Sequence, residues 1–136
     1  MSKPSNIELR ELAEYLGYIL FHTRPETPTE RTTVPATGSA VVLIKPPQPG
    51  DVMIVWLIVA EMNTAAADST IGLYSSNGTD KLLIDEVKGS GLLRFVWKGP
   101  VAVHSDLWLE LNFINADSTD HTGYLHAYCT VCRRVV

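Results

Sequence analysis

The clearest pattern in the chain is a series of short apolar runs separated by turn-forming residues, which begins at Ser39. A proline-rich stop at 46–50, Asn77-Gly78 and Gly99-Pro100 are strong turn signals between these runs. Regularly spaced short strands of this kind are typical of an antiparallel β-sandwich or jelly roll. The pattern predicts an all-β domain over residues 39–136 with about eight strands, at 41–45, 51–62, 69–75, 81–87, 92–97, 101–103, 106–115 and 123–133.

The last two predicted strands alternate strictly between apolar and polar positions, which is typical of strands with one buried face. In the seventh strand the apolar positions fall on one side, and Glu110 and Asn112 fall on the other. The alternation predicts that the following side chains face the core: Leu107, Leu109, Leu111, Phe113, Leu125, Ala127, Cys129 and Val131.

The second predicted strand is different, because residues 52–60 are apolar at every position. The opposing sheet of a sandwich covers only one face of a strand, so the other face needs cover from an N-terminal helix or another subunit. Leaving large apolar side chains exposed forfeits about 1.5–3 kcal/mol of burial energy for each one. We therefore expect Val55, Trp56 and Leu57 to lie in an oligomer or assembly interface.

Residues 1–22 have a helical pattern instead. Ser5 and Glu8 have the spacing of a capping box. Apolar residues then recur at helical spacing, which predicts an amphipathic helix over residues 6–21. Such a helix packs either on its own domain or, as an arm, on a neighbouring subunit. Its predicted contact residues are Leu9, Leu12, Leu16 and Ile19.

Residues 23–38 are rich in proline and threonine, which favours an extended linker between this helix and the β-domain. The arm, the linker and the β-sandwich domain are the three predicted parts of the chain.

Composition and charge indicate one globular domain, with 136 residues, 46% hydrophobic residues and 19% charged residues. The formal net charge of −4 argues against binding of nucleic acid, because that affinity depends on lysine and arginine neutralising phosphates. Residues 1–5 do not resemble a signal peptide, and the longest apolar run is too short to span a bilayer as a helix. We expect a soluble protein that is made in a cytoplasm and has no membrane partner.

Candidate chemistry is sparse. Cys129 and Cys132 lie along one strand and point to opposite faces, with Cα atoms about 10 Å apart. This separation predicts free thiols, with Cys129 buried. Asp117, Asp120 and His121 cluster in a polar segment whose spacing does not match a calcium-binding loop. We therefore predict no metal site, no cofactor and no enzymatic activity.

The best surface feature is an outward stripe of Tyr124, His126 and Tyr128, to which Trp108 on a neighbouring strand could contribute. Aromatic side chains on one sheet face can stack on sugars or form a protein interface. Cover by the protein's own loops or arm is the third alternative.

The region from about residue 41 to residue 131 resembles small β-sandwich virion proteins of tailed bacteriophages. The similarity lies in a turn and apolar strand at 46–56, a strand at 70–74, the Trp97-Lys98-Gly99-Pro100 segment, a strand at 106–109 and a closing strand at 123–127.

This resemblance implies a virion structural protein. Its implied role is that of a head decoration (cement) protein, a homotrimer that binds a major capsid protein or another virion protein. A tail- or fibre-associated module that binds a receptor or carbohydrate is the alternative.

Overall fold

The fold is antiparallel and all-β in the computed structural model, which describes residues 18–26 and 29–134. Their side chains are described for residues 29–133. Nothing in these ranges is a helix with the length and apolar character to cross a membrane. The strands are β1 (Tyr18–Glu26), β2 (Thr29–Val34), β3 (Gly38–Ile44), β4 (Val52–Ser76), β5 (Lys81–Val103), β6 (Trp108–Asn115) and β7 (His121–Arg134).

The seven strands form one continuous hydrogen-bonded sheet, whose two layers we call sheet I and sheet II. In sheet I, β1 and β2 pair with one edge of β7, and β7 pairs with residues 52–62 of β4, which pair in turn with the second half of β5. In sheet II, the first half of β5 pairs with residues 69–76 of β4, followed by β6 and β3. Together the two layers form an antiparallel, barrel-like β-structure.

Strands β4 and β5 are shared by both sheets, so the described chain has seven long strands where about eight were predicted. The predicted turn at 63–68 is instead an irregular corner inside β4, where the register with β5 shifts between Thr64 and Ser69. Small side chains at this corner let the strand bend from one sheet into the other. The hairpin turn predicted at Asn77-Gly78 is present, and the Asn77 Oδ1 accepts hydrogen bonds from the backbone N–H groups of Thr79 and Asp80.

The core lies between the two sheets, and among the described side chains those of β2 to β7 all contribute to it. The alternation predicted for β6 and β7 is confirmed, except that Leu107 precedes β6 and is 45% exposed. The largest fully buried side chains include Phe113, Ile44, Met53, Ile58, Met62, Ile71 and Leu73.

The helix predicted over residues 6–21, with Leu9, Leu12 and Leu16, lies mostly outside the described residues. Residues 18–22 belong to β1, in which Ile19 pairs with Arg133, so this part of the prediction is wrong.

The described part of the predicted linker, residues 23–26 and 29–38, is largely extended, as its composition indicates, but it is part of the sandwich. It contributes the end of β1 and all of β2. Strand β2 forms because its backbone pairs with hydrogen-bonding groups along the edge of β7. Its threonines and Val34 are β-branched, which also favours strand structure.

Candidate binding face

The outer face of sheet I is built from side chains of β2, β7, β4 and β5 that point away from the core. Tyr124, His126 and Tyr128 point outward from β7, as predicted. Tyr124 and Tyr128 are 46% and 44% exposed, and the His126 and Tyr128 rings lie 4.9 Å apart. The predicted aromatic stripe is therefore a real surface feature.

Strand register extends this stripe across the sheet. On the face, Leu57 of β4 lies directly opposite Tyr128, and Val59 lies opposite His126. Directly opposite residues in an antiparallel pair have Cβ atoms about 4.5–5.5 Å apart, so these residues are neighbours on the face. With β2 and β5 included, residues that lie opposite one another on neighbouring strands form three rows across the face. These rows are Lys98–Leu57–Tyr128, Val96–Val59–His126–Thr29 and Arg94–Glu61–Tyr124–Arg31.

A bulge places Trp56 on this face. The register of β4 with both neighbours shifts between Val55 and Leu57. Trp56 is 48% exposed, and its indole Nε1 donates a 2.9 Å hydrogen bond to the Thr130 hydroxyl of β7. A bulge leaves one residue out of the regular pairing, and here that residue adds a large aromatic surface to the face.

The face changes from apolar to charged along the strands. Ile54, Trp56 and Leu57 lie towards one end. At the other end, Arg94 Nε lies 3.4 Å from Glu61 Oε1, and the guanidinium of Arg31 lies 5.2 Å from the centre of the Tyr124 ring. The face therefore combines an adhesive apolar end with a polar end that is able to make directional contacts.

Two of the sequence-predicted site residues lie elsewhere. Val55 is completely buried in the core, because it precedes the bulge and points between the sheets, so its prediction as an interface residue is wrong. Trp108 is on β6 and therefore on the outer face of sheet II, on the opposite side of the molecule from Tyr124. Of the remaining predictions, Trp56 and Leu57 share one face with Tyr124, His126 and Tyr128, whereas Leu9, Leu12 and Leu16 lie outside the described residues.

Trp108 belongs to a network that the sequence did not reveal. Its Nε1 donates to Glu110 Oε1 over 3.2 Å, and the Glu110 carboxylate also forms an ion pair with Lys81. Lys45 lies over the Trp108 ring, 4.0 Å from its centre. Burial raises the pKa of Glu110, but hydrogen bonds from Lys81, Trp108 and Ser76 outweigh this effect and hold it below its usual value.

The polar cluster near the start of β7 links the β6–β7 loop to neighbouring segments, and we call it the loop tie. His121 Nε2 lies 2.8 Å from Asp117 Oδ2, and Asp120 Oδ1 accepts a hydrogen bond from the backbone N–H of Ala36. The hydrogen bond from His121 and that from the backbone of Ser118 lower the pKa of Asp117. These contacts fix the β6–β7 loop against neighbouring segments.

The cysteine pair lies as predicted. Cys129 is buried, and no disulfide joins it to Cys132, which is half-buried on the outer side of β7. Burial raises the pKa of the Cys132 thiol, so this group is protonated and poorly reactive at neutral pH.

No protein-family model and no curated protein matches this sequence. Among solved structures, the fold is similar to that of the Yersinia pseudotuberculosis-derived mitogen, with a TM-score of 0.50 and 17% identity over 76% of this chain and 86% of that chain. At this identity the likeness shows a common fold alone.

Two other solved structures are less similar in fold, with TM-scores below 0.5. One is to a protein of the Bacillus endospore appendages, described as disulfide-linked pili, with a TM-score of 0.44 and 11% identity over 84% of this chain and 89% of that chain. The other is to infectious bursal disease virus, Gx strain, with a TM-score of 0.39 and 9% identity over 83% of this chain and 32% of that chain.

Proposed function

We propose that this protein is a non-enzymatic component of a virus particle, namely a decoration protein that binds and stabilises the head shell of a tailed bacteriophage. The observation that carries the proposal is the outer face of sheet I, where half-exposed apolar and aromatic side chains lie in register across β7, β4 and β5. Contiguous apolar surface of this kind favours burial against another protein. The sequence resemblance to phage virion proteins indicates that this partner is a capsid protein.

The free energy gained by burying the outer face of sheet I is small for one copy, which is why the proposal includes an oligomer. Trp56, Val96, Tyr124 and Tyr128 are each about half exposed. Covering the exposed halves gives about 6–8 kcal/mol in total. Association costs about 4–15 kcal/mol, so one copy alone binds weakly. A homotrimer that attaches through several copies gains avidity and stays on the shell.

The experiment is to purify virus particles from cells that carry the gene and to measure the protein's copy number per capsid protein by mass spectrometry. The wild-type protein is expected to co-purify at a fixed ratio, and heads that carry it are expected to resist heating better than heads without it. Trp56→Asp is expected to lower the occupancy at least tenfold, because it places a charge in the apolar end of the face.

Leu82→Asp is the matched control. Leu82 is 72% exposed and lies at the start of β5 in sheet II, away from the proposed interface. Its occupancy is expected to equal that of the wild type. Absence of the protein from pure particles would contradict the decoration role, and full occupancy of Trp56→Asp would show that another surface makes the contact.

Oligomeric state is tested separately by native mass spectrometry of the full-length protein, for which a trimer is the expected mass. A monomer both in solution and on particles would contradict the avidity argument.

A second candidate function is a tail- or fibre-associated module that binds a carbohydrate or a receptor. It is favoured by the position of Tyr124, His126 and Tyr128 on one face, beside a depression of about 340 Å³. A glycan array with the full-length protein distinguishes the two candidates, because the decoration role requires no sugar to bind.

A further inference from the structure

The depression lies at the charged end of the outer face of sheet I, where β2, β7 and β4 run side by side. Its volume of about 340 Å³ is at the lower limit of small-molecule sites and fits one or two sugar rings. Residues from all three strands line it: Thr29, Glu30, Arg31, Val59, Glu61, Tyr124, Leu125 and His126. Such a mixture of an aromatic ring, cationic and anionic groups and hydroxyls offers several kinds of contact within one small volume.

Arg31 is the group that is available to a ligand. Its guanidinium is positioned by the Tyr124 ring, and no carboxylate among the described residues pairs with it. The neighbouring Arg94 differs, because it already forms an ion pair with Glu61. A positioned guanidinium with unused N–H donors is well suited to bind a carboxylate through two parallel hydrogen bonds.

The remaining lining selects among anions. Glu61 also lines the depression and is paired with Arg94, so the formal charge of Arg31, Arg94 and Glu61 together is +1. Glu30 lies opposite the buried Leu125, so its side chain points to the other face of the sheet and only its backbone reaches the depression. A ligand with one negative charge balances this site, whereas a dianionic phosphate or an acidic peptide brings more negative charge than Arg31 offsets. Hydroxyl groups on such a ligand can donate hydrogen bonds to Glu61.

The Tyr124 ring supplies the apolar contact. It is 46% exposed at the wall of the depression, and the His126 ring beside it is fixed by a 2.9 Å contact between its Nδ1 and the Thr29 hydroxyl. An aromatic surface next to directional polar groups suits a ring that has both C–H and O–H groups.

We infer that this depression binds a sugar residue that carries one carboxylate, a hexuronic or a sialic acid. The carboxylate pairs with Arg31, the ring packs on Tyr124, and the hydroxyls donate to Glu61. This inference rests on the second function proposed above, for which it names the ligand class, and it does not depend on attachment to a head.

The test is a titration of the full-length protein, followed by NMR or calorimetry, with methyl glucuronide and with the methyl glycoside of N-acetylneuraminic acid. Methyl glucoside is the matched neutral sugar. The two acidic sugars distinguish the hexuronic from the sialic class, and the better one is expected to bind at least tenfold more tightly than methyl glucoside.

Variants locate the site. Arg31→Gln is expected to reduce the affinity for the acidic sugar about tenfold, to that of the neutral one, and Tyr124→Ala is expected to weaken both. Lys98→Gln removes the same charge from the same face beside Leu57, away from the depression, and is expected to leave binding unchanged. Thermal unfolding of each variant checks that the fold is retained.

Four results would overturn the inference. These are equal binding of acidic and neutral sugars, equal loss of affinity in Lys98→Gln and Arg31→Gln, equally tight binding of inorganic phosphate or a glutamate tetrapeptide, and no binding of any sugar at millimolar concentration. None of them affects the particle experiment with Trp56→Asp, so a failure here is distinguishable from a failure of the decoration role.

Discussion

The ammonium group of Lys81 and the carboxylate of Glu110 form an ion pair on the outer face of sheet II, although the Glu110 side chain is only 8% exposed. Lys81 starts β5 and Glu110 lies in the middle of β6, and β4 runs between them. The pair therefore joins two strands that are not hydrogen-bonded to each other. A carboxylate this well covered depends on its partners, because removal of one leaves a buried charge without compensation.

The first prediction concerns this ion pair. Lys81→Met is expected to lower the free energy of unfolding by about 1–2 kcal/mol at pH 7, measured by urea denaturation. Lys88→Met is the control, because Lys88 pairs with Asp68 and both side chains are more than half exposed, and its effect is expected to stay below about 0.5 kcal/mol. Equal effects of the two substitutions would show that burial of Glu110 is energetically unimportant.

The second prediction is the pH dependence of that difference. The pKa of Glu110 is lower in the folded protein than in the unfolded chain, so ionised Glu110 stabilises the fold above the ordinary glutamate pKa of about 4.3. This stabilisation is lost as the pH falls through the lowered pKa. The penalty for Lys81→Met is therefore expected to be full at pH 6–7 and to shrink below about pH 4, measured by urea denaturation across this range. A penalty that is constant between these limits would exclude the ion pair as its cause.

The third prediction concerns the loop tie between Asp117 and His121. The hydrogen bond from His121 is the main reason for the lowered pKa of Asp117, so ionised Asp117 stabilises the fold above the ordinary aspartate pKa of about 3.9 and loses this effect in acid. Asp117→Asn is expected to lower the melting temperature at pH 7 and to converge with the wild type at the lowest pH values. Asp80→Asn is the control, since the Asp80 side chain is exposed in the hairpin turn. A larger effect of Asp80→Asn than of Asp117→Asn at pH 7 would refute the tie.

The fourth prediction separates core from interface on β4. Val55→Ala is expected to cost about 2 kcal/mol of stability, because Val55 is completely buried. Val96→Ala, the same substitution at a 48% exposed position on the outer face of sheet I, is expected to cost less than about 1 kcal/mol. Chemical denaturation of both variants decides the matter, and particle occupancy should be unaffected by Val55→Ala.

The fifth prediction concerns a close approach between Gly123 and Phe113. A Cβ atom at position 123 would lie 3.0 Å from three atoms of the Phe113 ring, which is fully buried. Gly123→Ala is therefore expected to cost about 1–3 kcal/mol through overpacking. Combination with Phe113→Leu is expected to cost less than the sum of the two single substitutions, as a double-mutant cycle would show. Strict additivity would place the strain elsewhere.

Strict alternation allowed β6 and β7 to be predicted with both of their faces, because one apolar face and one polar face leave a single orientation. Val55 was misplaced because residues 52–60 are apolar throughout, so nothing in the sequence marks the bulge that resets the alternation at Trp56. The prediction that Trp108 lies on the same face as Tyr124 was wrong for another reason. Local patterns do not show which sheet a strand joins, and here β4 passes between sheets and separates β6 from β7.

The threonine-rich segment at 23–38 shows a similar limit. Proline and threonine correctly indicated an extended backbone, but only the unpaired edge of β7 turns that segment into β2. The network of Glu110 was missed because an outward glutamate beside Trp108 looks like any solvated residue until Lys81 is brought to it from a distant part of the chain. Sequence patterns therefore predict which face of a strand is apolar, whereas pairing between distant segments determines which strands lie side by side.

The passage of β4 and β5 through both sheets has a consequence for how the protein folds and fails. These two strands are joined by a four-residue turn, so they can pair early in folding, before the strands that are more distant in sequence pair with them. Neither layer then exists without the other, since each is assembled on a different half of the same ribbon. Unfolding should accordingly be a single all-or-none event, and damage to the ribbon's corner at residues 63–68 should melt both layers at once.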